Sequence, residues 1–155
     1  MKKALFTLTV CLLTFNSCRS DSNDNSTTNE PTVVGTWKVV KIAKISGKDN
    51  TVISSKTNLG CTASNTFQFT NDNKFTFKLY DTPNNTPCSL VETSTGTYTY
   101  NKSTKVLTFT YSNNSTENLQ VNSLTSSELV TVENLNADYN GDNINDKEFA
   151  YLNKQ

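Results

Sequence analysis

The sequence predicts an all-β protein, an antiparallel up-and-down barrel of about eight to nine strands, on three observations. From Val33 onward Thr, Ser and Asn dominate, while Ala and the long helix formers are scarce; Thr, Tyr, Phe, Val and Ile suit a pleated, half-buried surface. Apolar residues alternate with polar ones through several short segments, which puts every second side chain on one face. Asx-rich clusters divide those segments at the short intervals that antiparallel hairpins need.

The strands are expected at 36–46, 50–56, 65–70, 73–80, 94–100, 105–111, 116–122, 127–134 and 147–153. Phe67 and Phe69 share one face of the third, and Phe75, Phe77 and Leu79 one face of the fourth. Tyr98 and Tyr100 do so in the fifth, Leu107, Phe109 and Tyr111 in the sixth, and Leu119 and Val121 in the seventh. Turns fall at Asn71-Asp72-Asn73, Asn101–Thr104, Ser112–Ser115 and Asn122-Ser123. Sequential hairpins from residue 65 to 134 leave little room for the long crossings of a Greek key, and closing the sheet removes its edges. The longest irregular stretch is Asp81–Glu92, which contains Pro83, Pro87 and Cys88.

The chain starts MKKALFTLTVCLLTFNSC. Two lysines precede an apolar run over Ala4–Phe15, the length of a signal-peptide core and too short to span a bilayer, which takes roughly twenty residues. Phe15-Asn16-Ser17-Cys18 resembles the lipobox of bacterial lipoproteins. That resemblance implies a signal peptide over 1–17, lipidation of Cys18 by fatty acyl chains such as palmitate, and an outer-membrane or cell-surface location. The alternative is an ordinary signal peptide whose cysteine is lost on cleavage. Residues 18–32 carry almost no apolar side chains and read as a disordered tether, leaving 33–155 as one domain with one core.

The sequence has 14 basic and 14 acidic residues. Without Lys2 and Lys3, 12 remain against 14, a balance of about −2 that lacks the basic face of a nucleic-acid binder. In an oxidising compartment the remaining pair, Cys61 and Cys88, defaults to a disulfide, with free thiols or a metal pair as alternatives.

VVGTWKVVKI at 33–42 carries the family signal. Gly35-x-Trp37 at the mouth of the first strand resembles the opening signature of lipocalins. Together with the paired FQF and KFTFKLYD strands, GTYTYN and SLTSSELV, residues 33–134 resemble the lipocalin-like domain of Bacteroidetes lipoproteins. The resemblance implies that glycine lets the chain turn into the barrel and that Trp37 plugs one end. Lipocalins usually back this tryptophan with an arginine; Arg19 is the only arginine here, so Lys147 or Lys154 would have to substitute. The aromatics of the strands are expected to fill a core rather than cage a ligand.

DYNGDNINDKEF at 138–149 spaces Asp138, Asn140, Asp142 and Asp146 at positions one, three, five and nine, and the Ile144 carbonyl could add a ligand. This spacing suits calcium and resembles thrombospondin type 3 loops. Asn143 stands where glycine is usual, a residue that tolerates positive φ. The alternative is a solvated Asx-rich turn between the last two strands.

Catalysis is not expected. Histidine, the usual general base, is absent, and Asp72, Asp81, Glu92 and Glu117 read as solvated acids in or beside turns. The expected function is a membrane-anchored, monomeric binding lipoprotein holding a small apolar or amphipathic ligand. The alternative is a structural or interaction protein of the cell envelope with a filled barrel. A further alternative is an enzyme inhibitor acting through the Asp81–Glu92 segment.

Overall fold

A computed structural model describes residues 30–83 and 87–155; the expected signal peptide, Cys18 and all but the end of the tether lie outside them. Nine strands run in order: β1 Gly35–Ile45, β2 Val52–Lys56, β3 Thr66–Phe69, β4 Lys74–Asp81, β5 Ser89–Asn101, β6 Val106–Tyr111, β7 Thr116–Leu124, β8 Glu128–Asn134 and β9 Lys147–Lys154. All pairings are antiparallel. From β3 to β9 each strand pairs with the next, and β1 closes the ring by pairing with both β9 and β3. The result is an eight-stranded barrel with β2 as an extra strand.

The asymmetry lies in β1. Gly35–Lys38 pair with β3, while Ile42–Ile45 pair with β2. Along its other edge β1 pairs with β9 over most of its length, interrupted by a bulge between Val39 and Lys41. Such a bulge bends a strand and raises its twist, as a closed barrel needs. Tight turns connect the meander: Asn73 and Asn114 adopt left-handed φ of 59° and 63°, the conformation Asn tolerates best after glycine.

Trp37 is fully buried at one barrel end, and its indole N–H donates to the Val33 carbonyl at 2.7 Å. The Lys154 ammonium lies 5.2 Å from the ring centroid. Lys154, at the end of the last strand, thus occupies the place an arginine was expected to fill. Gly35 has φ of +138°, a backbone conformation that residues with a side chain rarely adopt, which accounts for the glycine there. Around Trp37 the core gathers Val39, Phe69, Phe75, Tyr98, Leu107, Phe109, Val121, Leu129 and Leu152. Its rings meet edge-on or tilted, as Phe69–Tyr98 at 5.0 Å and Phe75–Phe77 at 4.5 Å do, arrangements that ring quadrupoles favour.

The stretch expected to be irregular, Asp81–Glu92, is shorter than the sequence suggested. Leu79 pairs with Glu92 and, across a bulge, Tyr80 and Asp81 pair with Leu90 and Ser89, so β5 begins at Ser89. Just before it Cys88 is bonded to Cys61, in a 3-10 turn over Gly60–Ser64, with Cα atoms 5.4 Å apart. The bond ties the β4–β5 connection to the link between β2 and β3. Replacing both cysteines by serine should lower stability by about 3 kcal/mol, measured by urea unfolding, because the 27-residue separation no longer restricts the unfolded chain.

Candidate functional site

The register of the strands builds a cavity. Phe67 faces Phe77, Phe109 faces Glu117, Leu129 faces Leu152, and Thr131 faces Ala150 across their ladders, all on the inner side. The space they enclose is about 610 Å³. Val39, Leu107, Leu129 and Leu152 form its deep wall, and the side walls carry Phe67, Phe69, Phe77, Phe109 and Leu119. The aromatics therefore do both jobs: Phe75 and Tyr98 stay out of the lining, while four phenylalanines and Tyr111 line the space.

The polar lining is concentrated at the barrel end opposite Trp37. There the start of β5 contributes Glu92–Thr95, the β6–β7 turn Ser112, Asn113 and Ser115, and β7 Glu117. Tyr111 donates its hydroxyl to Glu117 Oε2 at 2.5 Å, and Ser94 Oγ donates to Glu92 Oε1 at 2.6 Å. Burial, together with the Glu117 hydrogen bond and the charges of Glu117 and Glu92, pushes the Tyr111 phenol up to about 12. It remains a donor throughout the ordinary pH range. Deeper, Tyr98 donates to the Thr70 carbonyl at 3.0 Å, and burial, then the Asp72 charge, raises its pKa.

Glu92 and Glu117, expected as solvated acids in or beside turns, are exposed near the start of β5 and β7; what sequence reasoning missed is that both also line the mouth of the cavity. A signal for Glu117 existed: it shares its strand face with Leu119 and Val121, one hairpin away from Phe109.

The Asx-rich loop lies between β8 and β9, as expected. Asp138 accepts N–H groups from Gly141 at 2.7 Å and Asn143 at 2.8 Å, and longer ones from Asn140 and Asp142. Asp142 accepts from Ile144 N–H at 2.9 Å and from the buried Ser46 hydroxyl at 3.0 Å. The side chain of Asn140 donates to Asp142, and Asn143 has φ of 67°. Asp146 is fully buried, taking N–H groups from Tyr139 at 2.6 Å and Gly47 at 3.2 Å. A Cβ on Gly47 would meet the Asn145 carbonyl at 2.0 Å, so only glycine lets the end of β1 press this closely on the loop. Among the described residues no three acidic, Cys or His side chains are grouped to hold a metal ion. The carboxylates accept hydrogen bonds from the loop's own amides and from Ser46 and Gly47 after β1.

The Asn143 amide foremost, with those of Gly141, Asp142 and Asn140, lowers the pKa of Asp138. A carboxylate depressed on folding stabilises above its unfolded pKa of about 4, and that contribution disappears as pH falls through the lower folded value. Asp138→Ala should therefore lower the melting temperature at pH 7. The gap from the parent protein should narrow as thermal melts are repeated below pH 4.

No match is found among curated proteins. A lipocalin-like protein from Bacteroides uniformis is 14% identical, with a TM-score of 0.45 over 79% of this chain and 97% of that one. A deswapped triple mutant of bovine odorant binding protein is 17% identical, with a TM-score of 0.39 over 78% of this chain and 72% of that one. A complex of the bovine protein with a selenium-containing odorant is 15% identical at a TM-score of 0.40, covering 78% and 69% of the two chains. The model of the lipocalin-like domain matches residues 33–131, well over half of the sequence, and the chain belongs to that family.

Proposed function

We propose that the protein is a carrier that holds one small apolar or amphipathic molecule inside the barrel. The observation that supports this best is the cavity of about 610 Å³, lined by phenylalanine and leucine and closed below by the Trp37 end. Ligand sites of this kind have volumes of about 300–1,000 Å³, mostly apolar walls and a few placed polar groups. The competing reading, a structural envelope protein with a filled barrel, fits less well. Small eight-stranded barrels can fill their interiors with side chains, and this one leaves space for a guest. Binding rather than catalysis also suits a chain without histidine.

Attachment to the outer membrane or cell surface through acylated Cys18, with residues 18–32 as a spacer, belongs to the same proposal and rests on the sequence. Calcium in the Asp138–Asp146 loop is proposed on its Asx spacing alone. Millimolar calcium should raise the melting temperature above that in EDTA; an unchanged value discards the ion.

The carrier role is tested with the neutral fluorophore N-phenyl-1-naphthylamine. Saturable one-to-one binding is expected, and Ser94→Trp, which puts an indole on the inner face opposite Phe77, should weaken it at least tenfold. Absence of saturable binding to the folded parent protein would reject the carrier. Native mass spectrometry of protein released from its own membranes would report acylation of Cys18 and any resident guest together.

A further inference from the structure

The polar end of the cavity has a charge character that narrows the guest, and this inference rests on the carrier reading. Its described lining includes two carboxylates, Glu92 and Glu117, and no lysine or arginine. They come from β5 and β7, and both charges are felt at Tyr111. Each carboxylate spends one oxygen on a neighbour, Glu92 on the Ser94 hydroxyl and Glu117 on the Tyr111 hydroxyl. The second oxygen of each takes no hydrogen bond from the described residues. The ion pairs among those residues are Lys74–Asp72 and Lys102–Glu30, so neither cavity glutamate is neutralised by a lysine.

Two uncompensated carboxylates beside an apolar space repel an anionic head group and give a neutral one only ordinary hydrogen bonds. An ammonium head gains charge-assisted hydrogen bonds, the stronger kind, at two carboxylates that stand exposed at the mouth of the cavity. We propose that the cavity selects an amphiphile with a cationic amine head, its ammonium at Glu92 and Glu117 and its apolar body against Phe77, Phe109 and Leu119. The phenol of Tyr111 positions Glu117 for this role and stays protonated while doing so.

The test compares dodecylamine, dodecanol and dodecanoate as competitors of N-phenyl-1-naphthylamine at neutral pH and physiological salt. Dodecylamine is expected to bind about tenfold more tightly than dodecanoate and severalfold more tightly than dodecanol, the range that one or two partly exposed charge pairs supply. In the Glu92→Gln, Glu117→Gln double variant the amine-to-alcohol ratio should fall to about one. Glu128→Gln makes a charge change at the Trp37 end of the barrel and should keep the parent ratio. An amine no tighter than the alcohol, a preference that survives the double variant, or equal loss in Glu128→Gln would overturn the head-group assignment. Should the double variant fail to fold, the ligand series on the parent protein still decides. If the fluorophore itself does not bind saturably, the carrier reading falls; if it binds and the amine holds no advantage over the alcohol or fails to compete, only the head-group assignment does.

Discussion

Closure of the sheet by β1 is the constraint on which the rest depends. One strand must satisfy β9 along one edge and β3 along the other, and the bulge after Val39 lets it turn enough to do both. Without that double pairing the meander from β3 to β9 would be an open sheet with two unpaired edges, the form most open to pairing with other chains. Trp37 sits where β1 is paired on both edges, with Phe67 of β3 and Lys154 of β9. Its burial, its hydrogen bond to Val33 and the Lys154 chain folded over it seal the same seam that the β1–β9 ladder zips.

The interior follows from this geometry. Inward positions near Trp37 carry large side chains that meet across the axis, so that end is solid. Towards the other end the inner face turns to Ser94 and Thr131, smaller groups that do not reach across, and space remains above the phenylalanines. The cavity is thus a gradient of side-chain size along the barrel axis. Its hydroxyls and carboxylates gather where water enters, as polar groups must unless they are paired.

Much of this was legible in the sequence because it rests on local signals. Strict alternation in KFTFKLY and VLTFTY located β4 and β6, and Asn73 and Asn114 marked their hairpins through the one backbone conformation those turns demand. Gly35 and Trp37 pointed to the seal, and two cysteines to the bridge. What local pattern could not carry was pairing between distant segments. The first residues of β5 looked irregular because Pro87 and Cys88 precede them, and their strand character depends on a bulge opposite Leu79 and Tyr80. Glu92 then lies on the inner face only through that pairing. The sharing of one β1 edge by β2 and β3 likewise has no signature in either segment.

That shared edge has a mechanical consequence. Because β3 is only four residues long and β2 pairs with β1 alone, no backbone ladder among the described residues joins β2 to β4. The wall on this side of the rim is held by the 3-10 turn, by the Cys61–Cys88 bond and by the Tyr80 amide, which donates to Asn65 Oδ1 at 2.8 Å, rather than by strand pairing. The two ends of the barrel are therefore joined differently: backbone ladders on both edges of β1 at the tryptophan seal, a disulfide and one amide-to-side-chain hydrogen bond at the rim between β2 and β4.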